Sequence, residues 1–402
     1  MALSRRSFLA STAIAPLLVT PHTGSTSTVP SAIDPGRFEP WIEVDSAALR
    51  ANVGVLSKLA GGRPIIAVVK NNGYGLGIRE VARVLDADPR VSEFGVVKVA
   101  EALALREAGV RKPILLLALF DDTEGVELLR RGISLSLCVP DIGARVTRAI
   151  ARANRPARGH FYLDTGMSRI GLTYHKALPI LRDLSRLPRL EIAGMLTGLT
   201  EEPDFDDEQV RRLTVLADQA RAAGVSTGPL HAASSHAVFN RKDALLDAVR
   251  PGIALFGDYP TDDGNERSIA ELTVAFRLKA RVVRVEELRA GDTVSYGRRF
   301  KAETATWVAT IPIGHADGYP RSAVRGGQML IGGRPYPVIG AVSASHAIVN
   351  LGATTSAAIG DVATILGPDH PAIHPNRLAG TTGISVYDVL MHLSPSLPRT
   401  LG

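Results

Sequence analysis

The sequence predicts an α/β protein: a (β/α)8 barrel over residues 41–265, then a C-terminal all-β domain over 266–402. Three observations lead there. From Trp41 onward, short apolar runs alternate with helix-like segments of roughly ten to fifteen residues, the pattern of βαβ units on a parallel sheet. About eight such runs precede residue 260, which favours a closed barrel over an open doubly wound sheet. After Asn265 the chain changes to short β-patterned runs between Gly, Pro and Asp turns, with helical periods almost absent.

The elements follow in order. IEVD (42–45) precedes a helical SAALRANVGVLSKLA, and PIIAVVK runs through a glycine turn into IREVARVLDA. EFGVVKV, PILLLALF and ISLSLCV each lead into a further helical segment. HFYLD, LEIAGML and GPLHAAS continue the series. The later runs LTVAFRLKARVVRVEEL, TATWVATIPI, QMLIGG, YPVIGAVSA, AIVNLG and DVATILG read as strands of the second domain.

Residues 1–40 stand apart. Ser4-Arg5-Arg6-Ser7-Phe8-Leu9 opens a short apolar stretch that is too brief for a membrane span and has the layout of an export signal. The paired arginines resemble a twin-arginine leader, which addresses folded cargo. Residues 21–40 are rich in Thr, Ser and Pro and read as cleavage region and tail. The expectation is an exported, periplasmic protein without stable membrane insertion.

Composition narrows the function classes. The chain has 402 residues, 45% hydrophobic and 21% charged, as expected of a globular protein with an aliphatic core. Its net charge of +6 comes from scattered arginines rather than a basic stripe interleaved with aromatics, which argues against nucleic acid as partner. The single cysteine, Cys138, excludes an internal disulfide and reads as a small core residue. His231, His236, His315 and His346 lack the close spacing of a metal site.

AVVKNNGYGLG (Ala67 to Gly77) ends a buried strand in a lone lysine. Lys70 is either a solvated strand end or an amine held against apolar walls, where desolvation would lower its pKa and make it a nucleophile and base. Tyr74 follows in a turn loosened by Gly73, Gly75 and Gly77, which permit close backbone approach to a ligand. RPGIALFG (Arg250 to Gly257) offers an arginine and exposed amides suited to phosphate. LHAASSHA (Leu230 to Ala237) ends in two serines, and DTGMSRIG (Asp164 to Gly171) carries a loop arginine.

Together with VSYGRRF (Val294 to Phe300), GHADGYPR (Gly314 to Arg321) and ISVYDVL (Ile384 to Leu390), these motifs resemble the alanine racemases, a pyridoxal-phosphate enzyme family. The resemblance runs from Trp41 across the chain. It implies that Lys70 carries pyridoxal 5'-phosphate and is one acid–base group at the substrate's α-carbon, with Tyr296 the other from the opposite face. It further implies that Tyr74, Ser235, Gly252, Ile253 and Tyr387 hold the phosphate, and that Arg250, oriented by His231, meets the pyridine nitrogen. Arg169 would steady the substrate carboxylate and Ala344 would line the substrate side. The tyrosine of this family comes from a second subunit, so a homodimer with shared sites acting on a free amino acid is implied.

The departures lie on the substrate side. Tyr162 stands where the family commonly has a lysine, often carbamylated, which leaves Arg169 to be positioned by another anion or by tighter hydrogen bonding. Gly198 replaces a histidine that supports the tyrosine, Ala344 and Ser345 replace a Met-Asp pair, and His315 replaces a tyrosine. Asn71, Gly73 and Leu76 replace the commoner Ala, Ala and His. Two readings remain: a racemase for alanine or a broader set of amino acids, and an exported homologue that binds cofactor or amino acid without racemising it.

Overall fold

A computed structural model describes residues 37–402; the expected export leader and most of the expected tail lie outside the described residues. Strands Ile65–Val68, Val91–Val96 and Ile114–Leu116 pair in parallel, as do Leu135–Leu137, Ala157–Asp164, Leu190–Leu196 and Leu230–His231. A parallel bridge between Leu115 and Ser134 joins the two sets. The ring closes through Val249, whose carbonyl accepts from Ile66 N at 2.8 Å and whose amide donates to Pro64 O at 3.0 Å. On the other side Arg250 N donates to Ala233 O at 2.7 Å. The result is the expected closed barrel, with helices following its strands.

One of the eight expected strands is misplaced by the sequence reading. Trp41–Val44 is not a barrel strand; it pairs antiparallel with Phe276–Arg281 and parallel with Arg399–Leu401. Its register sets Glu43 opposite Arg277 and beside Lys279, whose ammonium lies 2.7 Å from the Glu43 carboxylate. The eighth barrel position belongs instead to the segment around Val249. There Pro251 has no N–H for the ladder, which hides the strand from a pattern search.

The C-terminal region is built on a nine-stranded sheet, ordered Arg284–Leu288, Thr306–Ile311, Ala347–Gly352, Arg334–Ile339, Gln328–Ile331, Val362–Leu366, Phe276–Arg281, Trp41–Val44 and Arg399–Leu401. It is mostly β, but it also contains two short helices, Pro375–Thr382 and Val386–Met391. The first begins on a proline, whose missing amide proton costs nothing in a first turn, and stops at Gly383 in the left-handed region. The second carries Tyr387.

The loop after Ile65–Val68 positions the candidate lysine. Asn71, Asn72, Gly73, Tyr74 and Gly75 all have positive φ, at 53, 57, 62, 53 and 85°. They wind one left-handed turn, closed by Gly73 N to Val69 O and Gly75 N to Asn71 O, each 3.0 Å. Such a turn costs an L-residue roughly 1–2 kcal/mol, and Gly and Asn tolerate it best. Asn71 and Gly73 are therefore suited to the backbone they must adopt, and Leu76 is fully buried in the core. Asn72 adds a local cap, its side-chain oxygen accepting from Ile78 N at 3.0 Å.

The turn is pinned from the second domain. Arg399 donates from Nη2 and Nε to Gly75 O at 2.7 and 3.1 Å. A Cβ at Gly75 would overlap the carbonyl oxygen of Leu390. Gly75→Ala is expected to lose about 3 kcal/mol, through overpacking and backbone strain together. Asn71→Val is expected to lose about 1–2 kcal/mol, and Asn71→Gly almost nothing. Urea unfolding of the three purified variants measures this; equal loss for Val and Gly at position 71 would refute the left-handed turn.

Candidate active site

A cavity of about 430 Å³ opens at the C-terminal ends of the barrel strands, the face on which barrels of this kind place their chemistry. Lys70, Tyr74, Tyr162, Arg169, Ser235, Arg250, Gly252 and Tyr387 all line it. Residues brought from separate strands and from a helix of the C-terminal domain thus share one site. Burial lowers the pKa of Lys70, with a smaller contribution from Arg169 and an opposing one from Glu101. Of the two open readings for this lysine, the structure supports the amine held in a cleft.

The donors around it fit a phosphate. Ser235 Oγ accepts from Gly252 N at 2.9 Å and Ala254 N at 3.3 Å, which leaves its own proton free to donate. Ile253 opens a short 3-10 turn, where its amide has no intrahelical partner. Tyr74 lies against Gly252 so closely that a Cβ there would overlap its hydroxyl. The ring centroids of Tyr74 and Tyr387 are 6.4 Å apart, and burial pushes both phenols up, so each stays a neutral donor. Lys70 Nζ is 5.9 Å from the Tyr74 ring centroid, on the same side of the cavity.

Arg250 reaches the same cavity from the closing strand. Its Nη1 donates to His231 Nδ1 at 3.0 Å and also to His231 O. Nη2 donates to Thr197 O at 2.6 Å and Ala232 O at 3.3 Å. Among the described residues only Nε–H lacks an acceptor, so the guanidinium is fixed on four N–H groups with one left for a ligand. Burial brings its pKa down to about 10, still far above neutrality, so it remains a donor without an acceptor function. A lysine amine, neutral phosphate donors and a fixed N–H fit pyridoxal phosphate at its aldehyde, phosphate and ring-nitrogen ends.

The substrate side is more open. Arg169 has no hydrogen-bond partner among the described residues, so the tighter bonding expected to replace a carbamylated lysine is not present. A Cβ at Gly198 would meet Met167 Sδ at 3.4 Å, Tyr162 Oη at 3.5 Å and Arg169 Nη2 at 3.7 Å. The tyrosine hydroxyl and the guanidinium therefore converge beside the empty side of Gly198.

Tyr296 and Ala344 are not in this cavity. With Arg299, His315 and Arg321 they line a second one, of about 500 Å³, on the C-terminal domain. Tyr296 is 77% exposed, on a turn in which Ser295, Gly297 and Arg298 all have positive φ. His315 lies 2.8 Å from Arg321, and Asp317 accepts from Gly314 N at 2.9 Å. Within one chain the structure thus joins the expected cofactor residues and separates the expected second base from them.

Several contributors escaped the sequence reading. Glu101 accepts from Asn72 N at 3.2 Å and Val97 N at 3.3 Å, tying the lysine loop to helix Val99–Glu107. His160 touches His231, and Arg399 clamps the loop from 324 residues away. The only local signal was a polar residue on the inward side of an apolar strand, as at His160. Cys138 is a core residue, its thiol raised by burial to about 11.

Comparison with known proteins agrees with this geometry. Family models for the N-terminal and C-terminal domains of alanine racemase match residues 44–260 and 275–401. An alanine racemase of Carboxydothermus hydrogenoformans is 33% identical over 89% of this chain and 98% of its own length. One from Symbiobacterium thermophilum is 34% identical over 90% and 97%. Among solved structures, alanine racemase of Clostridium difficile superposes with a TM-score of 0.85 at 26% identity, covering 91% of this chain and 96% of that one. Alanine racemase of Bacillus anthracis with bound L-Ala-P superposes at 0.82 and 26% identity, over 92% and 96%. With both domains matched in order and the lysine, arginine and phosphate donors in one cavity, this chain belongs to the alanine racemase family.

Proposed function

We propose that the chain interconverts L- and D-amino acids by moving the substrate's α-proton between Lys70 on one face and Tyr296 on the other. Pyridoxal 5'-phosphate is the cofactor of its family, and amino-acid racemisation is the family's reaction. The observation that carries the residue assignment is the convergence of Lys70, Arg250 and the phosphate donors in one cavity.

When bound, the cofactor supplies an electron-withdrawing ring that acidifies the α-proton. Burial favours the neutral amine of Lys70, which can then bond to the cofactor and later take or return a proton on its own face. Tyr74, Tyr387, Ser235 and the amides of Gly252 and Ile253 would hold the phosphate. Arg250, held by His231, would meet the cofactor's ring nitrogen with an N–H that it keeps, and so would temper the ring's electron withdrawal. Plain proton exchange benefits, because stronger withdrawal would invite competing bond cleavage. Arg169, unpartnered in the cavity, is suited to the substrate carboxylate.

A two-base exchange needs Tyr296 at the same α-carbon, yet the tyrosine is exposed and outside the Lys70 cavity of its own chain. We infer that it serves a second copy, so that the functional unit is a homodimer with two shared sites. Ala344 would then line the same mouth. With Ser345 it replaces a bulkier, charged pair, which favours a substrate range broader than alanine. The exported binding homologue has only Gly198 and the open substrate side in its favour.

In deuterated water the purified holoenzyme should exchange the α-proton of alanine or another amino acid, read by mass spectrometry and chiral chromatography. Retained cofactor without exchange across a wide panel would favour the binding reading. Lys70→Ala should lose the visible absorbance of bound cofactor. Tyr296→Phe should keep that absorbance and slow racemisation by roughly 10²–10⁴.

Subunit exchange tests the shared site. Mixing inactive Lys70→Ala with inactive Tyr296→Phe should restore activity, because a heterodimer has one site with both native residues. No recovery from mixtures shown to exchange subunits would refute the dimer.

Export is inferred from the Arg5-Arg6 leader alone. Replacing both arginines by lysine should retain the full-length protein in the cytoplasm, measured by fractionation. Unchanged export of that variant would refute the twin-arginine reading.

A further inference from the structure

Behind Arg250, three ionisable side chains from three barrel strands stand in line. His231 Nδ1 lies 3.0 Å from Arg250 Nη1, and His231 Nε2 lies 2.9 Å from His160 Nδ1. His160 Nε2 in turn faces Glu93 Oε2 at 3.8 Å. Glu93, His160 and His231 are 8%, 4% and 0% exposed. Space for the line is built in: a Cβ at Gly194 would stand 2.6 Å from His160 Nδ1.

The proton positions follow from one end. A guanidinium has only donors, so His231 Nδ1 must be bare. Burial holds both imidazoles neutral, His231 well below its ordinary value and His160 down at about 4. The single proton of His231 is therefore on Nε2 and donates to His160 Nδ1. That assigns the proton of His160 to its own Nε2, directed at the Glu93 carboxyl. Every N–H in the line points away from Arg250. Exchanging either tautomer would set two bare nitrogens or two N–H groups against each other, at a cost of roughly 1–3 kcal/mol in a buried site.

We propose that His160 and Glu93 are positioning residues for the racemase reaction: they hold His231 in the one tautomer that accepts from Arg250, and so aim the remaining N–H of Arg250 at the cofactor. This rests on the racemase reading given above. The chain of contacts does not touch substrate; it acts through the orientation of Arg250.

The test uses holoenzyme of wild type, His160→Leu, Glu93→Leu and Glu93→Gln. His160→Leu should lower kcat about tenfold or more, change KM by less than roughly threefold, and move the visible absorbance maximum of the bound cofactor. Glu93→Leu should move both readouts in the same direction. Glu93→Gln, which keeps a carbonyl oxygen facing His160 Nε2, should restore them towards wild type. A purely structural line would change thermal stability and leave the spectrum in place.

Wild-type kcat and spectrum in folded, cofactor-loaded His160→Leu would overturn the proposal. So would Glu93→Gln behaving like Glu93→Leu, and that pair decides the matter if His160→Leu does not fold. Absence of α-proton exchange in the wild type would overturn the racemase reading alone. The absorbance comparison needs only bound cofactor and still reads the line of contacts.

Discussion

The site depends on a backbone constraint: five residues in succession after Lys70 must lie at positive φ. A strand that ran on or turned right-handed would carry Tyr74 away from Gly252 and break the junction between lysine and phosphate donors. Left-handed winding is unfavourable for L-residues, so something beyond local preference must hold it. Part of that comes from Asn71, Asn72 and Gly73. The rest comes from tertiary contacts, with Arg399 donating twice to Gly75 O and the Leu390 carbonyl packed where Gly75 has no side chain. The loop is thus stabilised by the domain it does not belong to.

That dependence explains why the two domains share a sheet. Trp41–Val44 precedes the barrel in sequence but lies between Phe276–Arg281 and Arg399–Leu401 in space. The strand holding Arg399 is therefore docked on the segment that leads directly into the first barrel helix, Ser46–Leu59, whose start is capped by Asp45. Geometry at Gly75 is fixed by Arg399, whose own strand is held by pairing with Trp41–Val44. A barrel cut free of its β domain would lose both the clamp and Tyr387.

How much was legible follows from how local each signal is. Alternating strands and helices announce a barrel because the periodicity lies within each segment. Trp41–Val44 has the same short apolar pattern as a barrel strand, and nothing within it says which sheet will take it. The strand at Val249 had the opposite problem, as its pairing is carried by few residues beside a proline. Lys70, Tyr74 and Arg250 stood out because glycine turns mark strand ends. Asn71 and Gly73 looked like departures from a family pattern, but their backbone angles make them suited to the turn. His160 and Glu93 had no such marker, since their partners are set by strand order around the barrel.

The electrostatics of the cavity connect these constraints to chemistry. Lys70, Arg169 and Arg250 face one cavity, and Lys70 has its pKa lowered partly by Arg169. Arg250 is encased in carbonyl oxygens and an imidazole, acceptors that steady a cation without neutralising it. Arg169 has no such casing. A cavity with this balance favours dianionic phosphate at one end and a carboxylate at the other. Both anions shift charge in the same direction, so binding of either would raise the lysine towards its ordinary pKa and help it hold a proton. The amine thus gives up its proton more readily when the cavity is empty of anions than when it is filled. That order suits the proposed role of Lys70, first as a nucleophile and then as an acid.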